Sequence, residues 1–384
     1  MREAPLSDLK NRQCGAALII NDGANDMSSR FFDKRYAPLS AYVPGEQPRD
    51  KKYIKLNTNE SPFPPCRGVL DAVNADAVRD LRLYSDPTSI GVKRAVAEFY
   101  DICPENVFVS NGSDEALGFL FMAFSENGAA FMDITYGFYS VFARLYGVDA
   151  EVIPLSADFS IDTDRLCSGS AATLFIANPN APTGLYLSPD EIERIVRYDR
   201  NRLVVVDEAY IDFGGESVVP LTMRYDNLVV VQTFSKSRQL AGARLGFAIG
   251  AAEIIEGLEK IKFSTNPYNV NRITQICGEA AMRDRDYFDM TRKKIIENRD
   301  FVTKKLSARG FSVTDSLANF VFAKSDKIPG NMYYRALRER GILVRHFDSE
   351  RISDYVRITI GTHDEMEALI AATDEALGAA NSKG

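Results

Sequence analysis

A lysine and an aspartate in this chain each follow a run of apolar residues of the kind that forms a buried β-strand. Lys236 comes just after one such run, with Ser235 beside it and Arg244 one loop later, and Asp207 ends another run. A primary amine can form a Schiff base with an aldehyde, and a strand-end carboxylate can hold a protonated ring nitrogen. A serine and an arginine can bind a phosphate. Together these residues predict a site for pyridoxal 5'-phosphate (PLP).

Each of these residues alone has a simpler explanation, since most lysines lie at the surface and an aspartate after a strand commonly serves a turn. Their convergence at one edge of a sheet is what indicates a site, because ligands of open α/β sheets bind at the carboxyl ends of the strands. Four polar segments are expected at such strand ends: residues 110–114, 178–184, 207–210 and 235–236.

Several further side chains are candidates for the same site. Gly112, Ser113 and Asp114 open a predicted helix. These residues form a good N-cap, and the free amides at the start of the helix can also bind a phosphate. The aromatic candidates are Tyr210, for a hydrogen bond to the cofactor's ring oxygen, and Tyr136, for stacking on the ring. An amide of the 178–184 turn, an asparagine, could also bond that oxygen, and an anionic substrate could be bound by Arg345 and Arg357.

Composition excludes several classes of function. A net charge of −7 argues against a general nucleic-acid surface. The chain has 2 histidines, in no metal-ligand spacing, so no metal site and no Ser-His-Asp hydrolase are expected. Its 5 cysteines are scattered and form no CxxC pair, and no apolar run reaches membrane-spanning length. These features predict a cytoplasmic protein that does not bind a membrane.

From about residue 67 the chain alternates helical patterns with short β-branched runs. This alternation predicts an α/β fold whose large domain has a mostly parallel, seven-stranded sheet. The predicted strands are residues 106–110, 129–132, 151–154, 173–177, 203–207, 228–233 and 245–249, with helices at 114–124, 138–146 and 189–198.

The pattern changes after residue 267, where a long charged helix over 271–307 is followed by short strands and a closing helix. We therefore expect a smaller α+β domain there. The predicted organisation is an N-terminal extension (1–35), an arm that belongs to the small domain (36–66), the large PLP-binding domain (67–266) and the small C-terminal domain (267–384).

At this point the sequence resembles the fold-type I PLP-dependent aminotransferases, and among them the histidinol-phosphate aminotransferases. The resemblance covers roughly residues 36 to 376. It is carried by the segments 42–45, 56–62, 84–87, 112–114, 136–137, 180–184, 207–210, 235–236, 240–244, 318–320 and 356–361.

The resemblance implies roles for individual residues. Lys236 would be the Schiff-base lysine and the base that moves the substrate proton, while Asp207 would pair with the ring nitrogen. The phosphate would be surrounded by Gly112, Ser113, Asp114, Ser235 and Arg244. Tyr84 would reach the cofactor phosphate of a second subunit, so a homodimer with shared active sites is expected. The residues expected to face the substrate are Tyr42, Asn59, Arg345 and Arg357.

The sequence departs from the family pattern in three places, at Ala181, in residues 61–64 and in residues 237–239, and the first of them bears on the cofactor ring. Ala181 stands where the family has an asparagine before Pro-Thr-Gly, and we expect Asn180 to contact the ring oxygen instead.

The resemblance implies transamination of L-histidinol phosphate with 2-oxoglutarate, an amino and a keto-acid substrate. The alternatives are decarboxylation of a phosphorylated amino acid of the threonine phosphate type, an aromatic or broad amino-acid aminotransferase, and a non-catalytic PLP-binding regulator. Fold alone does not decide among them.

Overall fold

The computed structural model describes residues 29–37, 39 and 45–381. The chain divides into two compact units, Met1–Pro44 and Gly45–Gly384. In the first unit the described residues form turns, in which the guanidinium of Arg35 pairs with Asp33 at 2.7 Å. The second unit contains every strand and helix described below.

The strands of the second unit are short. They are β1 (Ile54–Lys55), β2 (Val107–Ser110), β3 (Ala129–Met132), β4 (Ala150–Ile153), β5 (Thr173–Ala177), β6 (Leu203–Asp207), β7 (Leu228–Thr233), β8 (Gly246–Gly250), β9 (Phe311–Val313), β10 (Phe320–Ser325), β11 (Ile342–Leu343), β12 (Arg345–His346) and β13 (Tyr355–Thr359).

The helices are α1 (Arg67–Ala72), α2 (Ala75–Arg79), α3 (Ile90–Tyr100), α4 (Ser113–Phe124), α5 (Phe138–Tyr146), α6 (Thr163–Ser168), α7 (Pro189–Tyr198), α8 (Val219–Thr222), α9 (Ala252–Thr265), α10 (Arg272–Arg283), α11 (Arg285–Ser307), α12 (Gly330–Glu339) and α13 (His363–Asn381). Most helices alternate with the strands, whereas α1 to α3 and α9 to α11 follow one another without a strand between them. Among residues 29–37, 39 and 45–381, no helix has both the length and the apolarity needed to cross a bilayer.

The large sheet has seven strands in the order β2-β8-β7-β6-β5-β3-β4. Strand β8 is antiparallel to both of its neighbours, and the other pairs are parallel. Residues 204–206 and 228–231 have no solvent exposure, because helices cover both faces. The predicted α/β class with a mostly parallel seven-stranded sheet is therefore confirmed.

The strand order reverses between β3 and β5. From β3 the chain moves outward to β4, and it then crosses back to add β5, β6 and β7 on the other side. Loops that leave neighbouring strands in opposite directions open a crevice at the carboxyl ends, where α/β proteins bind ligands. The segment after β3 carries Tyr136, and the segment after β5 carries Asn178–Ala181.

A smaller antiparallel sheet, in the order β12-β13-β10-β9, lies in the C-terminal part of the chain. Strand β1 pairs with β11 in parallel, and Leu56 packs into the same core as Val321 and Val356. Residues 54–56, which precede the large sheet in the chain, therefore contribute to the small sheet's core. The α+β character expected of this part is present.

The long helix predicted over 271–307 is two helices in the structure. Asp284 ends α10 and caps α11, because its Oδ1 accepts a hydrogen bond of 3.1 Å from the Tyr287 amide. Cys277 and Met282 of α10 pack into the core of the large sheet, whereas Ile295 of α11 packs into that of the small sheet. The packing thus changes from one core to the other near Asp284, downstream of the predicted boundary at 267. The domain boundaries themselves stay predictions.

Candidate active site

A cavity of about 320 Å³ opens at the carboxyl ends of β5, β6 and β7. The ends of these parallel strands meet at one edge of the sheet, so residues distant in sequence come together there. The sequence-predicted residues that line it are Ser113, Asp114, Tyr136, Asp207, Tyr210, Ser235, Lys236 and Arg244.

Lys236 extends into this cavity from the loop after β7. Its Nζ donates a hydrogen bond of 3.3 Å to the carbonyl oxygen of Thr58 and lies 5.8 Å from the centre of the Tyr210 ring. Removal from water, reinforced by the positive charge of Arg357, lowers the pKa of the Lys236 amine to about 8. A useful fraction of this amine is therefore neutral near physiological pH, so it can act as a nucleophile and as a base.

Asp207 ends β6 and is 5% exposed. Its Oδ2 accepts a hydrogen bond of 3.0 Å from the hydroxyl of Tyr139, and its Oδ1 accepts one of 3.2 Å from the Ala209 amide. Burial raises the pKa of the carboxyl to about 6, although both hydrogen bonds act to lower it. The group is mostly ionised at neutral pH, so it can hold a protonated ring nitrogen.

The start of α4 and Arg244 form a pocket suited to an anion. Gly112 has a φ of +76°, and a Cβ at this position would lie 2.6 Å from Nη2 of Arg244. The same Nη2 pairs with Oδ2 of Asp114 at 3.0 Å, and Oδ1 of Asp114 accepts a hydrogen bond of 2.7 Å from Tyr136. The first amides of a helix and an arginine attract a phosphate.

Ser235 lies on the same side of the cavity. Its hydroxyl accepts a hydrogen bond of 3.0 Å from Oγ1 of Thr233, and its amide donates one of 3.1 Å to that same oxygen. Thr233 therefore fixes both the backbone and the side chain of the residue before Lys236.

Asn59 holds the hydroxyl of Tyr210 by a hydrogen bond. Its Nδ2 donates a hydrogen bond of 3.0 Å to the Tyr210 hydroxyl, and its backbone has a φ of +55°. Thr359 holds this conformation, since its Oγ1 accepts from the Asn59 amide at 2.9 Å and donates to Asn59 Oδ1 at 3.0 Å. Asn59 is thus placed to orient Tyr210, and its predicted contact with substrate is untested.

The asparagines of the turn after β5 do not line the cavity. Nδ2 of Asn180 donates to the Ile134 carbonyl oxygen at 2.9 Å and to Thr183 Oγ1 at 3.0 Å, and its Oδ1 accepts from Thr135 Oγ1 at 2.9 Å. The Asn178 amide is bonded at both ends to the backbone of residue 187. Both side chains are thus engaged in holding the turn.

The wall of the cavity is formed there by Pro179 and Ala181. The Asn180 amide is hydrogen-bonded within the loop, and its expected contact with the cofactor ring is untested. Tyr210 is the predicted partner of the ring oxygen that does line the cavity.

The two arginines expected to face an anionic substrate lie on β12 and β13 of the small sheet. Nη2 of Arg357 donates to the Asn57 carbonyl oxygen at 3.1 Å, and its guanidinium lies 5.4 Å from the centre of the Phe320 ring. The guanidinium of Arg345 lies 5.7 Å from the centre of the Phe347 ring. Arg357 is near enough to influence the Lys236 amine, as described above.

Tyr84 lies away from this cavity. Its side chain is largely exposed, at 78%, and stacks on Tyr268 with 4.4 Å between ring centres. The backbone carbonyl oxygen of Tyr84 accepts a hydrogen bond of 2.7 Å from Nη2 of Arg272. This bond holds the backbone in place while the Tyr84 ring stays exposed. The predicted contact with a second subunit is untested. Tyr42 lies outside the described residues.

The residues at the site that were not predicted from the sequence include Thr58 and Tyr139, which contact Lys236 and Asp207. Thr58 offers its carbonyl oxygen to Lys236, and Tyr139 offers its hydroxyl to Asp207. A backbone carbonyl leaves no signal in the sequence. Tyr139 left a weak one, since it follows Tyr136 by only three residues, at the start of a predicted helix.

Comparisons with known proteins identify the family and the fold of this chain. The family described as Aminotransferase class I and II matches residues 51–372. Histidinol-phosphate aminotransferase of Clostridium acetobutylicum is 46% identical over 351 residues, covering 91% of this chain and 99% of that protein. Histidinol-phosphate aminotransferase 2 of Rhizobium meliloti is 48% identical over 351 residues, covering 91% of this chain and 100% of its own length.

A solved structure extends the comparison to the fold. The crystal structure of histidinol-phosphate aminotransferase from Sinorhizobium meliloti in complex with pyridoxal-5'-phosphate superposes with a TM-score of 0.83 at 24% identity. The superposition covers 92% of this chain and 99% of that one, so the two share the fold. With the family match spanning residues 51–372, the chain belongs to the class I and II aminotransferases.

Proposed function

We propose that this protein is a PLP-dependent transaminase that transfers the amino group of L-histidinol phosphate to 2-oxoglutarate, giving imidazole acetol phosphate and glutamate. The observation that carries the proposal is one cavity in which a lysine amine, a buried carboxylate and an anion pocket meet. The choice of substrate is supported by relatives of that name, which are 46% and 48% identical over 91% of this chain.

The residues present fit PLP. Gly246 lies so close to the start of α4 that a Cβ there would come within 2.4 Å of the Ser113 amide nitrogen, and Gly112 is in a left-handed conformation. Two glycines therefore bring backbone amides close together beside Arg244, as a phosphate site requires. An amine for the aldehyde and a carboxylate for the ring nitrogen complete the set of donors and acceptors.

When bound, PLP supplies an electron sink that accepts the electron pair left when a substrate loses its Cα proton. The Nζ of Lys236 is the base that takes this proton, because its lowered pKa of about 8 leaves part of the amine neutral. The carboxylate of Asp207 keeps a proton on the ring nitrogen. Tyr210 and Tyr136 line the same cavity.

Arg345 and Arg357 would bind the anionic end of the substrate. A planar guanidinium can form two parallel hydrogen bonds to a phosphate or a carboxylate, so both the phosphorylated donor and the keto acid could be bound. This dual use suits an enzyme whose two substrates enter the same cavity in turn.

The proposal extends to assembly and location. The exposed, backbone-anchored Tyr84 is suited to contact a second copy of the chain, so we propose a homodimer with shared sites. The described cysteines, Cys66, Cys103, Cys167 and Cys277, are all free thiols, which suits the reducing cytoplasm.

The test is an assay of purified protein with PLP, L-histidinol phosphate and 2-oxoglutarate, following glutamate. We expect glutamate formation that requires both substrates and is abolished in Lys236→Ala. One parallel reaction uses an aromatic amino acid as the donor. A second measures the carbon dioxide released from threonine phosphate. Faster turnover in either parallel reaction would replace the proposed substrate. A protein that stays colourless with added PLP would overturn the cofactor as well.

A further inference from the structure

Tyr139 lies behind the cavity, on the side of Asp207 that faces the protein core. It belongs to α5 and has 0% exposure. Its hydroxyl donates a hydrogen bond of 3.0 Å to Oδ2 of Asp207. It does not line the cavity and has no contact through which it could reach a substrate.

The ring of Tyr139 is held in place by other aromatic rings. Tyr136 meets it edge-on with 5.7 Å between centres, and Phe175 lies 5.8 Å and Phe131 5.9 Å away. A phenylalanine could fill the same space among these rings. The hydroxyl is therefore the part of this residue whose presence the packing does not explain.

The hydroxyl acts on a carboxylate that burial would otherwise push towards its neutral form. Asp207 is bonded on both oxygens, by Tyr139 and by the Ala209 amide, and both bonds favour the charged state. Among the neighbouring charges, Asp114 opposes ionisation and Lys236 favours it. The Tyr139 hydroxyl takes up one lone pair of Oδ2, so the other lone pairs of the carboxylate stay available to other donors.

We propose that Tyr139 is a positioning residue that keeps Asp207 ionised and oriented, and so sets how strongly the cofactor's ring nitrogen holds its proton. The inference rests on the PLP site of the proposed function and not on the identity of the amino substrate. It assigns to the core side of the site a role in tuning the cofactor.

The first test measures PLP binding to cofactor-free Tyr139→Phe by absorbance titration across pH. The change removes one hydroxyl that bonds a charged group, so we expect about tenfold weaker binding at neutral pH. The pH at which affinity falls on the acid side should move upward, because Asp207 loses a bond that lowers its pKa. Unchanged affinity and an unchanged pH profile would overturn the proposal.

Tyr333→Phe is the matched control. Tyr333 is also buried, at 1% exposure, and its hydroxyl bonds Thr373 at 2.7 Å in the core of the small sheet. Both variants should lose similar thermal stability, and only Tyr139→Phe should alter PLP binding. If Tyr139→Phe failed to fold while Tyr333→Phe folded, the hydroxyl would serve the fold and the proposal would fail.

A double-mutant cycle with Asp207→Asn separates an effect through Asp207 from any other. When the carboxylate is absent, adding Tyr139→Phe should change PLP affinity by less than about twofold. A full tenfold loss in both backgrounds would show that Tyr139 acts elsewhere. These measurements use no amino substrate, so they keep their meaning even if the protein does not act on L-histidinol phosphate.

Discussion

Arg345 and Arg357 are direct partners across the antiparallel pair β12–β13. Side chains at directly opposed positions of such a pair leave the same face of the sheet. Both side chains therefore extend from the same face of the small sheet, which is the arrangement that two guanidinium groups binding one anionic substrate would need.

Replacing Arg357 by alanine should weaken the binding of L-histidinol phosphate. The loss of a charge-assisted, forked contact predicts a rise in KM of roughly tenfold to a hundredfold. Arg357→Lys should recover only part of this loss, because an ammonium group lacks the planar fork. The measurement is steady-state kinetics with the visible absorbance of the bound cofactor recorded in parallel.

Arg338→Ala is the control for this prediction, since Arg338 pairs at the surface with Glu46 at 3.1 Å. It should leave both KM and the cofactor band unchanged. If Arg357→Ala abolished the visible band, Arg357 would belong to the cofactor site, and the assignment to substrate would be wrong.

The capture of PLP by cofactor-free protein should follow the titration of Lys236. Only the neutral amine attacks an aldehyde, so the rate should rise as the pH approaches 8 and level off above it. Below that pKa, each unit should lower the rate roughly tenfold. The measurement is stopped-flow absorbance over pH 6 to about 10, the upper end near the ordinary lysine pKa.

A model amine such as Nα-acetyl-lysine is the control, because its rate should keep rising towards its ordinary pKa. A rate for the protein that also climbed past pH 10 would show that Lys236 is not desolvated. Between about 8 and the ordinary value of 10.5 the unfolded chain holds the extra proton. The contribution of Lys236 to the free energy of unfolding should therefore increase with pH in that window.

Gly246→Ala should damage both stability and PLP binding. The added Cβ would lie 2.4 Å from the Ser113 nitrogen and 2.6 Å from the Gly112 carbonyl carbon, so backbone atoms must move. We expect a loss of about 1–3 kcal/mol in the free energy of unfolding. The measurement is chemical denaturation together with PLP titration.

Gly378→Ala is the matched substitution, because a Cβ at that helical position meets nothing within 4 Å. It should leave PLP binding unchanged and stabilise the helix by about 0.5–1 kcal/mol. Normal PLP affinity in Gly246→Ala would contradict the view that this glycine shapes the phosphate pocket.

Mixing two inactive variants should restore activity if Tyr84 completes the site of a second subunit. A hybrid of Lys236→Ala and Tyr84→Phe chains would contain one site with both residues intact. Random pairing of equal amounts should recover roughly a quarter of the wild-type sites. The measurement is glutamate formation after co-refolding. Activity equal to the average of the two parents would place Tyr84 outside the shared site.

The sequence predicted the large sheet well because its strands are buried on both faces. Runs such as 203–207 and 228–233 are apolar until they end in polar residues. The sequence therefore shows both that these runs are strands and where they end. The break at Asp284 was missed because charged residues continue on both sides of it. One capping bond ends one helix and begins the next, and periodicity does not register such a bond.

The site could be predicted where its chemistry requires one particular residue type. It could be predicted less well where the orientation of a side chain decides which group it contacts. Lysine, aspartate and arginine at strand ends have few structural uses together, and the structure gathers them in one cavity. Asn180 has the right chemistry, but its amide satisfies the turn. Tyr139 was overlooked because a tyrosine inside an aromatic cluster resembles ordinary packing until the partner of its hydroxyl is known.

The loop between β7 and β8 carries Lys236 and Arg244 and is closed at its base by a hydrogen bond of 3.0 Å from the Phe234 amide to the Leu245 carbonyl oxygen. Lys236, which would bond the proposed cofactor covalently, and Arg244, which would bind its phosphate, thus lie on one hairpin connection. The spacing of these two side chains is therefore set by one short connection and not by the packing of the small sheet. We expect an aldehyde whose phosphate arm is one methylene longer than that of PLP to bind less tightly, because the connection would have to change its conformation to keep both contacts.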